Sequence, residues 1–264
     1  MSMARPKGLI RRNPRGGCTD RSGAVTRAGA VAVTTAAALL SLAGATSANV
    51  LPVPKVLRVF TAGSSGSAFV LGPTEKGGCV LLTARHVIDS SVGAEPIEVR
   101  SQSGRILRFV NASFRKSAKL DLAYLPTSDC SLSLGIPLAR PRGIGVGLKV
   151  AILGYPLSDE SVNGRIPPTA VAAGRITQYN DTEGYDLNYD APTAVGYSGG
   201  PIIDRGSGSL LGLHGQSDNV LDSADNSKVG GRGISAPLIH RELRAIGLTL
   251  RRSESAPCFT GSCN

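Results

Sequence analysis

The chain has 264 residues, 41% of them hydrophobic, with 33 glycines, no tryptophan and a formal net charge of +10. Such a length holds one large or two small domains, and short β-branched or aliphatic runs punctuated by Gly, Pro, Ser and Asn favour an all-β barrel or sandwich over a helical protein. The charge does not argue for nucleic acid: residues 1–48 carry seven Lys or Arg and one acid, which leaves an ordinary +4 for the rest, without a basic stripe interleaved with aromatics.

Residues 1–48 read as an export or targeting segment. Arg5, Lys7, Arg11, Arg12, Arg15, Arg21 and Arg27 form a basic region, no charge occurs from Ala28 to Pro54, and small residues at Ala43-Gly44-Ala45 and Thr46-Ser47-Ala48 offer cleavage sites. An uncleaved anchor is the alternative and the only route to a membrane, but Ala and Thr make the stretch weakly apolar. The Arg11-Arg12 pair lacks the apolar continuation of a twin-arginine signal, and an organelle transit sequence is a further option. The expected destination is the periplasm, the exterior or an organelle lumen. Beyond Cys18, the cysteines are Cys79, Cys130, Cys258 and Cys263. Four in an exported domain suggest two disulfides, with three possible pairings. Cys258 and Cys263 lie close enough for a small terminal loop, leaving Cys79–Cys130; free buried thiols are the other reading.

In chain order, residues 49–136 form a first half. Strands are expected at Val56 to Thr61, Ser67 to Leu71 and Cys79 to Leu82, the last ending in Thr83-Ala84-Arg85-His86 with the histidine within one helical turn. Ile97 to Val99 and Ile106 to Val110 follow, and Lys119 to Leu125 embeds Asp121 in an apolar strand. A lone carboxylate there is costly to bury unless it is paired. Residues 137–147, rich in Pro, Gly and Arg, read as a linker. In the second half, residues 148–250, strands are expected at Leu148 to Leu153, Ala170 to Gln178, Tyr185 to Tyr189, Pro201 to Asp204, Ser209 to His214 and Gly233 to Ala236, with a loop at Ser158 to Pro168. Pro237 to Ile246 is the one convincing helix, with Ser235 and Pro237 as start signals and Gly247 as the stop. Residues 251–264 are a tail.

The chemistry centres on Gly196-Tyr197-Ser198-Gly199-Gly200-Pro201. A serine hydroxyl needs a base to take its proton and donors to hold the oxyanion that its attack creates. Glycines let the amides of Gly196 and Ser198 turn toward one spot. Of three histidines, His240 reads as a surface residue on the helix and His214 as a pocket wall, which leaves His86 as the base and Asp121 as its carboxylate. Asp89, the local competitor, is expected to face solvent. No metal cluster, phosphate-cradling loop or cofactor fingerprint occurs, so no cofactor is expected.

With His86, Asp121 and Ser198 in this order, Thr-Ala-Arg-His ending at the first and Gly-Tyr-Ser-Gly-Gly-Pro around the last, the chain resembles the trypsin/chymotrypsin-like serine endopeptidases over about residues 55 to 250. It most resembles bacterial branches such as the glutamyl endopeptidases and the trypsin-like proteins of cyanobacteria. The resemblance implies two antiparallel six-stranded barrels with the site between them, His86 and Asp121 from the first and Ser198 from the second, the C-terminal helix completing the chain. It implies Ser198 as nucleophile, His86 as general base and then acid, Asp121 as its orienting partner, the amides of Gly196 and Ser198 as oxyanion hole, and a protein or peptide substrate. Two departures stand out. Tyr197 occupies the place of the aspartate that pairs with a new N-terminus in animal trypsins, and Pro192 the place of the aspartate that selects Lys or Arg. Leu211-Gly212-Leu213-His214-Gly215 resembles the strand on which glutamyl endopeptidases carry a substrate-binding histidine, so Thr193, His214 and Ser217 are expected to line a pocket for an acidic residue. The competing reading is a catalytically silent protease-like domain that binds peptides or a partner protein. An α/β-hydrolase is excluded by the order of the triad and the absence of strand–helix alternation.

Overall fold

The computed structural model describes residues 55–91, 94–139, 143–157, 169–180, 184–217 and 230–251. The proposed leader, the 158–168 loop, part of the linker, the tail and any Cys258–Cys263 bridge lie outside the described residues. The first half contains β1 (Leu57–Phe60), β2 (Ser65–Leu71), β3 (Cys79–Ala84), the short helix α1 (Arg85–Asp89), β4 (Pro96–Ser101), β5 (Ile106–Val110), β6 (Arg115–Lys116) and β7 (Leu122–Thr127). The second contains β8 (Lys149–Gly154), β9 (Ala170–Tyr179), β10 (Leu187–Tyr189), β11 (Pro201–Asp204), β12 (Leu210–Ser217), β13 (Gly231–Ser235) and helix α2 (Ala236–Ala245).

The chain is all-β as expected. Strands β8 to β13 close a six-stranded barrel in the order β10-β13-β12-β11-β8-β9, while the first half is a seven-stranded sheet ordered β5-β4-β1-β2-β3-β7-β6. The first sheet therefore departs in detail from a closed six-stranded barrel. Its extra strand is the two-residue β6, paired with Tyr124 and Ala123 of β7, and its opposite edge, β5, leaves Ile106 44% and Val110 40% exposed.

Strands buried on both faces show as unbroken apolar runs rather than as alternation. Every residue of β3 is buried, and so are Leu210 to Gly215 of β12. Phe69, Leu82, Ile88, Ile97 and Leu122 fill the first core, and Val150, Ile152, Ile176, Leu187 and Ile202 the second. Helix α2 starts at Ser235, whose hydroxyl accepts from Leu238 N at 3.4 Å. Its buried Leu238, Ile239 and Leu243 belong to the same apolar cluster as the first sheet. Cys79, at the start of β3, is disulfide-bonded to Cys130 just past β7, with Cα atoms 5.4 Å apart. The expected Cys79–Cys130 pairing is therefore present.

Candidate active site

Strand β3 ends at Ala84, and the chain turns at once into α1, which sets His86 at the rim of the sheet. Asp121 precedes β7 by one residue instead of lying inside it, and its carbonyl accepts from Arg85 N, just past the end of β3, at 3.2 Å. The β3–β7 ladder pairs Ala84 with Leu122, so the residues that follow one and precede the other lie side by side. His86 N donates to Asp121 Oδ1 at 2.8 Å and His86 Nδ1 lies 2.7 Å from Oδ2. A carboxylate can only accept, so Nδ1 carries the hydrogen and the Nε2 lone pair is left to act as a base. Burial pushes the Asp121 carboxyl up, but hydrogen bonds from His86 and Tyr185 outweigh it and hold the group below its ordinary value. Asp89 does not compete: it is ion-paired with Arg85 at 3.0 Å and Lys116 at 2.6 Å, rather than simply facing solvent.

The serine loop belongs to the closed barrel but is fastened to the first sheet. Ser67 of β2 donates its backbone N–H to Ser198 O at 2.7 Å and its hydroxyl to Gly196 O at 2.8 Å. Ser67 Oγ also accepts from Tyr155 N at 3.0 Å. A Cβ at Gly199 would meet Ser67 O at 2.0 Å, Thr83 Oγ1 at 2.4 Å and Ala84 N at 2.9 Å, so the loop lies directly against the end of β3 that delivers His86. Gly196 adopts φ +102°, and a Cβ there would lie 2.2 Å from Tyr155 O; only glycine fits.

That conformation aims the amides. Leu157 N donates to Val195 O at 3.0 Å, and because N–H and C=O of a trans peptide point opposite ways, the N–H of Gly196 is directed away from Leu157. Among the described residues neither Gly196 N nor Ser198 N has an acceptor. The hydroxyl of Ser198 donates to Gly215 O at 3.1 Å rather than to the imidazole of His86. The sequence-predicted residues thus fall into a paired His86–Asp121 couple and a serine loop packed beside it, with the serine hydroxyl turned to the carbonyl of Gly215.

The structure brings Thr193, His214 and Ser217 together. Ser217 Oγ donates to Thr193 Oγ1 at 3.0 Å and lies 3.3 Å from His214 Nε2. Behind them, His214 Nδ1 is hydrogen-bonded to the Tyr189 hydroxyl, which also reaches Arg232 O at 3.0 Å. His214 is 0% exposed; burial, helped by the charge of His86, pulls its imidazole down to about 3. The ring is therefore neutral, a hydrogen-bonding imidazole and not a charged one. Tyr197 packs its ring edge-on against His214, centroids 6.4 Å apart.

The trypsin-like peptidase domain model matches residues 66–213. The chain belongs to this family. Similar solved structures include a serine endoprotease from Yersinia pestis, with 23% identity over 73% of this chain and a TM-score of 0.53. The HtrA-type protease AlgW, crystallised with a tripeptide, gives 26% identity over 73% of this chain and a TM-score of 0.55. A Mycobacterium tuberculosis protein in an inactive form gives 20% identity over 73% of this chain, 86% of its own length and a TM-score of 0.50. The chain spans 62% and 60% of the first two proteins' lengths. Among curated proteins no significant match is found. These neighbours include HtrA-type proteases, and the narrower glutamyl-endopeptidase or cyanobacterial affinity is not among them.

Four residues of this site escape a reading of the sequence. Ser67, Tyr185, Tyr189 and Gly215 act through hydrogen bonds or close approach between segments far apart in the chain, for which no local motif exists. Only Ser67 leaves a trace, a serine following Gly66 inside an otherwise apolar strand.

Proposed function

We propose that the chain is an exported serine endopeptidase that hydrolyses peptide bonds through an acyl-enzyme, with Ser198 as nucleophile, His86 as base and Asp121 as orienting carboxylate. The observation that carries this reading is the bidentate hold of Asp121 on the backbone and Nδ1 of His86, beside a serine loop whose amides at Gly196 and Ser198 are left to receive an acceptor. In this scheme the hydroxyl of Ser198 leaves Gly215 O for Nε2 of His86 when substrate binds. The imidazole then removes the proton as the oxygen attacks the scissile carbonyl, and the amides of Gly196 and Ser198 receive the developing oxyanion. The imidazolium, stabilised by Asp121, returns the proton to the leaving amine, and water repeats the sequence to free the acid. Catalytic hydrogen bonds are commonly unmade before substrate binds, so the resting hydroxyl position fits this scheme.

The pocket of Thr193, His214 and Ser217 favours a substrate with an acidic residue before the cut bond. The hydroxyls of Thr193 and Ser217 can turn to donate to a carboxylate that is otherwise costly to desolvate, beside an imidazole whose ring is neutral. Export is supported by the basic, small-residue leader and by the Cys79–Cys130 disulfide, a bond that persists in oxidising compartments.

The second reading, a silent peptide-binding domain, draws on the bond from Ser198 Oγ to Gly215 O. A fluorophosphonate probe separates the two. Labelling of the mature chain that disappears in Ser198→Ala and His86→Ala supports the enzyme, and an unlabelled wild type supports the binder. Peptides carrying Glu, Lys, Phe or Ala before the cut bond then test the pocket; equal rates or a Lys preference would sink the acidic choice.

A further inference from the structure

Asp121 has a third donor. Tyr185, which precedes β10 in the second barrel, donates its hydroxyl hydrogen to Asp121 Oδ2 at 2.6 Å. Oδ1 is committed to His86 N, and Oδ2 is shared between His86 Nδ1 and Tyr185. The ring reaches the carboxylate through a gap that exists because residue 215 has no side chain. A Cβ at Gly215 would lie 2.1 Å from Tyr185 Cε1, 2.7 Å from Cζ and 2.9 Å from the hydroxyl oxygen. That glycine is also the residue whose carbonyl receives the hydroxyl of Ser198. One residue pair thus touches both ends of the His86–Asp121–Ser198 set.

We propose that Tyr185 is a positioning residue for this set: from the second barrel, its hydroxyl fixes the orientation of the Asp121 carboxylate and draws off part of its negative charge. Tyr185 is only partly buried and lines an open depression with Gln178, Asn188 and Arg232. A carboxylate with two donors, both from His86, can swing about its Cα–Cβ axis together with the imidazole. With a third donor from the opposite wall the swing is blocked, and the Nε2 lone pair stays directed into the cleft. The hydrogen bond also stabilises the ionised carboxylate and, reciprocally, adds to the burial that pushes the Tyr185 phenol up.

The catalytic consequence rests on the endopeptidase reading, but the contact itself can be judged without turnover. Tyr185→Phe in the mature chain keeps the ring and removes the donor. The expected result is a kcat lowered roughly tenfold, with KM within about twofold. The low-pH limb of kcat/KM moves to higher pH, because Asp121 with one donor fewer protonates sooner and, while ionised, holds the imidazole proton more firmly. Carbon NMR of the Asp121 carboxyl, in a chain labelled at aspartate, should show its titration midpoint moving up in Tyr185→Phe. An unmoved midpoint would overturn the proposal. So would a loss of kcat that only follows a loss of folded protein while the pH limb stays in place. Absence of fluorophosphonate labelling in the wild type would defeat the endopeptidase reading instead, and the carboxyl titration would still decide the role of Tyr185.

Discussion

Replacing Ser67 with alanine probes how the oxyanion loop is held. The side chain is 0% exposed, its hydroxyl donates to Gly196 O at 2.8 Å and accepts from Tyr155 N at 3.0 Å. Alanine leaves a carbonyl and an amide of the second barrel without their partner. A buried polar group stripped of its hydrogen bond costs about 1–3 kcal/mol, so two such groups, partly relieved by relaxation, predict a loss of roughly 2–4 kcal/mol. In a domain of this size that lowers Tm by on the order of 5–12 °C. The backbone N–H of Ser67 still donates to Ser198 O, so the loop stays docked, but Gly196 loses the tie on its carbonyl that helps hold its backbone angles. Weaker oxyanion stabilisation then lowers kcat by roughly tenfold or more. Urea unfolding and steady-state kinetics on an acidic peptide measure the two effects separately. Stability within about 0.5 kcal/mol of wild type, with kcat unchanged, would refute the reasoning.

Ser217→Ala should raise KM for a peptide with Glu before the cut bond by about tenfold, the worth of one hydrogen bond to a charged group, while an Ala-containing peptide is unaffected; steady-state assays on the pair check it. His214 sits folded at about 3 against an ordinary 6.5, so between those values the unfolded chain binds a proton that the folded chain does not. Stability therefore falls as pH drops from about 6.5 toward about 3, by up to about 1.4 kcal/mol per pH unit, and urea titrations from pH 7 to pH 4 should show a shallower slope in His214→Gln. The Asp121 carboxyl, held below its ordinary value, adds a loss at lower pH still, as the pH falls through its folded-state midpoint. Replacing Cys79 and Cys130 together with alanine should cost about 2–4 kcal/mol, since the bridge closes a separation of 51 residues; thermal melts with and without reductant on the wild type give the same comparison.

Much of the fold is legible in the sequence because its strands are unbroken apolar runs or are closed by Gly and Pro, as at Cys79 to Leu82 and Pro201 to Asp204. An apolar window sets Asp121 inside β7 because it does not show where the ladder starts; the pairing of Ala84 with Leu122 does, and it leaves the carboxylate just outside. Helix α2 begins one residue before the proline that signals it, since Ala236 is as good a first helical residue as Pro237. His86 and Asp121 stand out by residue type and local setting, whereas Thr193 and Ser217 are reached only through the resemblance to glutamyl endopeptidases. Tyr185 is legible by neither route: as a tyrosine ahead of a short strand, it acquires its contact with Asp121 only when the two halves are together, 64 residues apart in sequence.

The bonds from Ser67 to Gly196 and Ser198, and from Tyr185 to Asp121, all run from one half of the molecule to the other. Each half supplies contacts that the other lacks, so the arrangement around His86, Asp121 and Ser198 forms only when both halves are folded against each other. Such a requirement keeps the hydrolytic chemistry proposed above from appearing before the fold is complete.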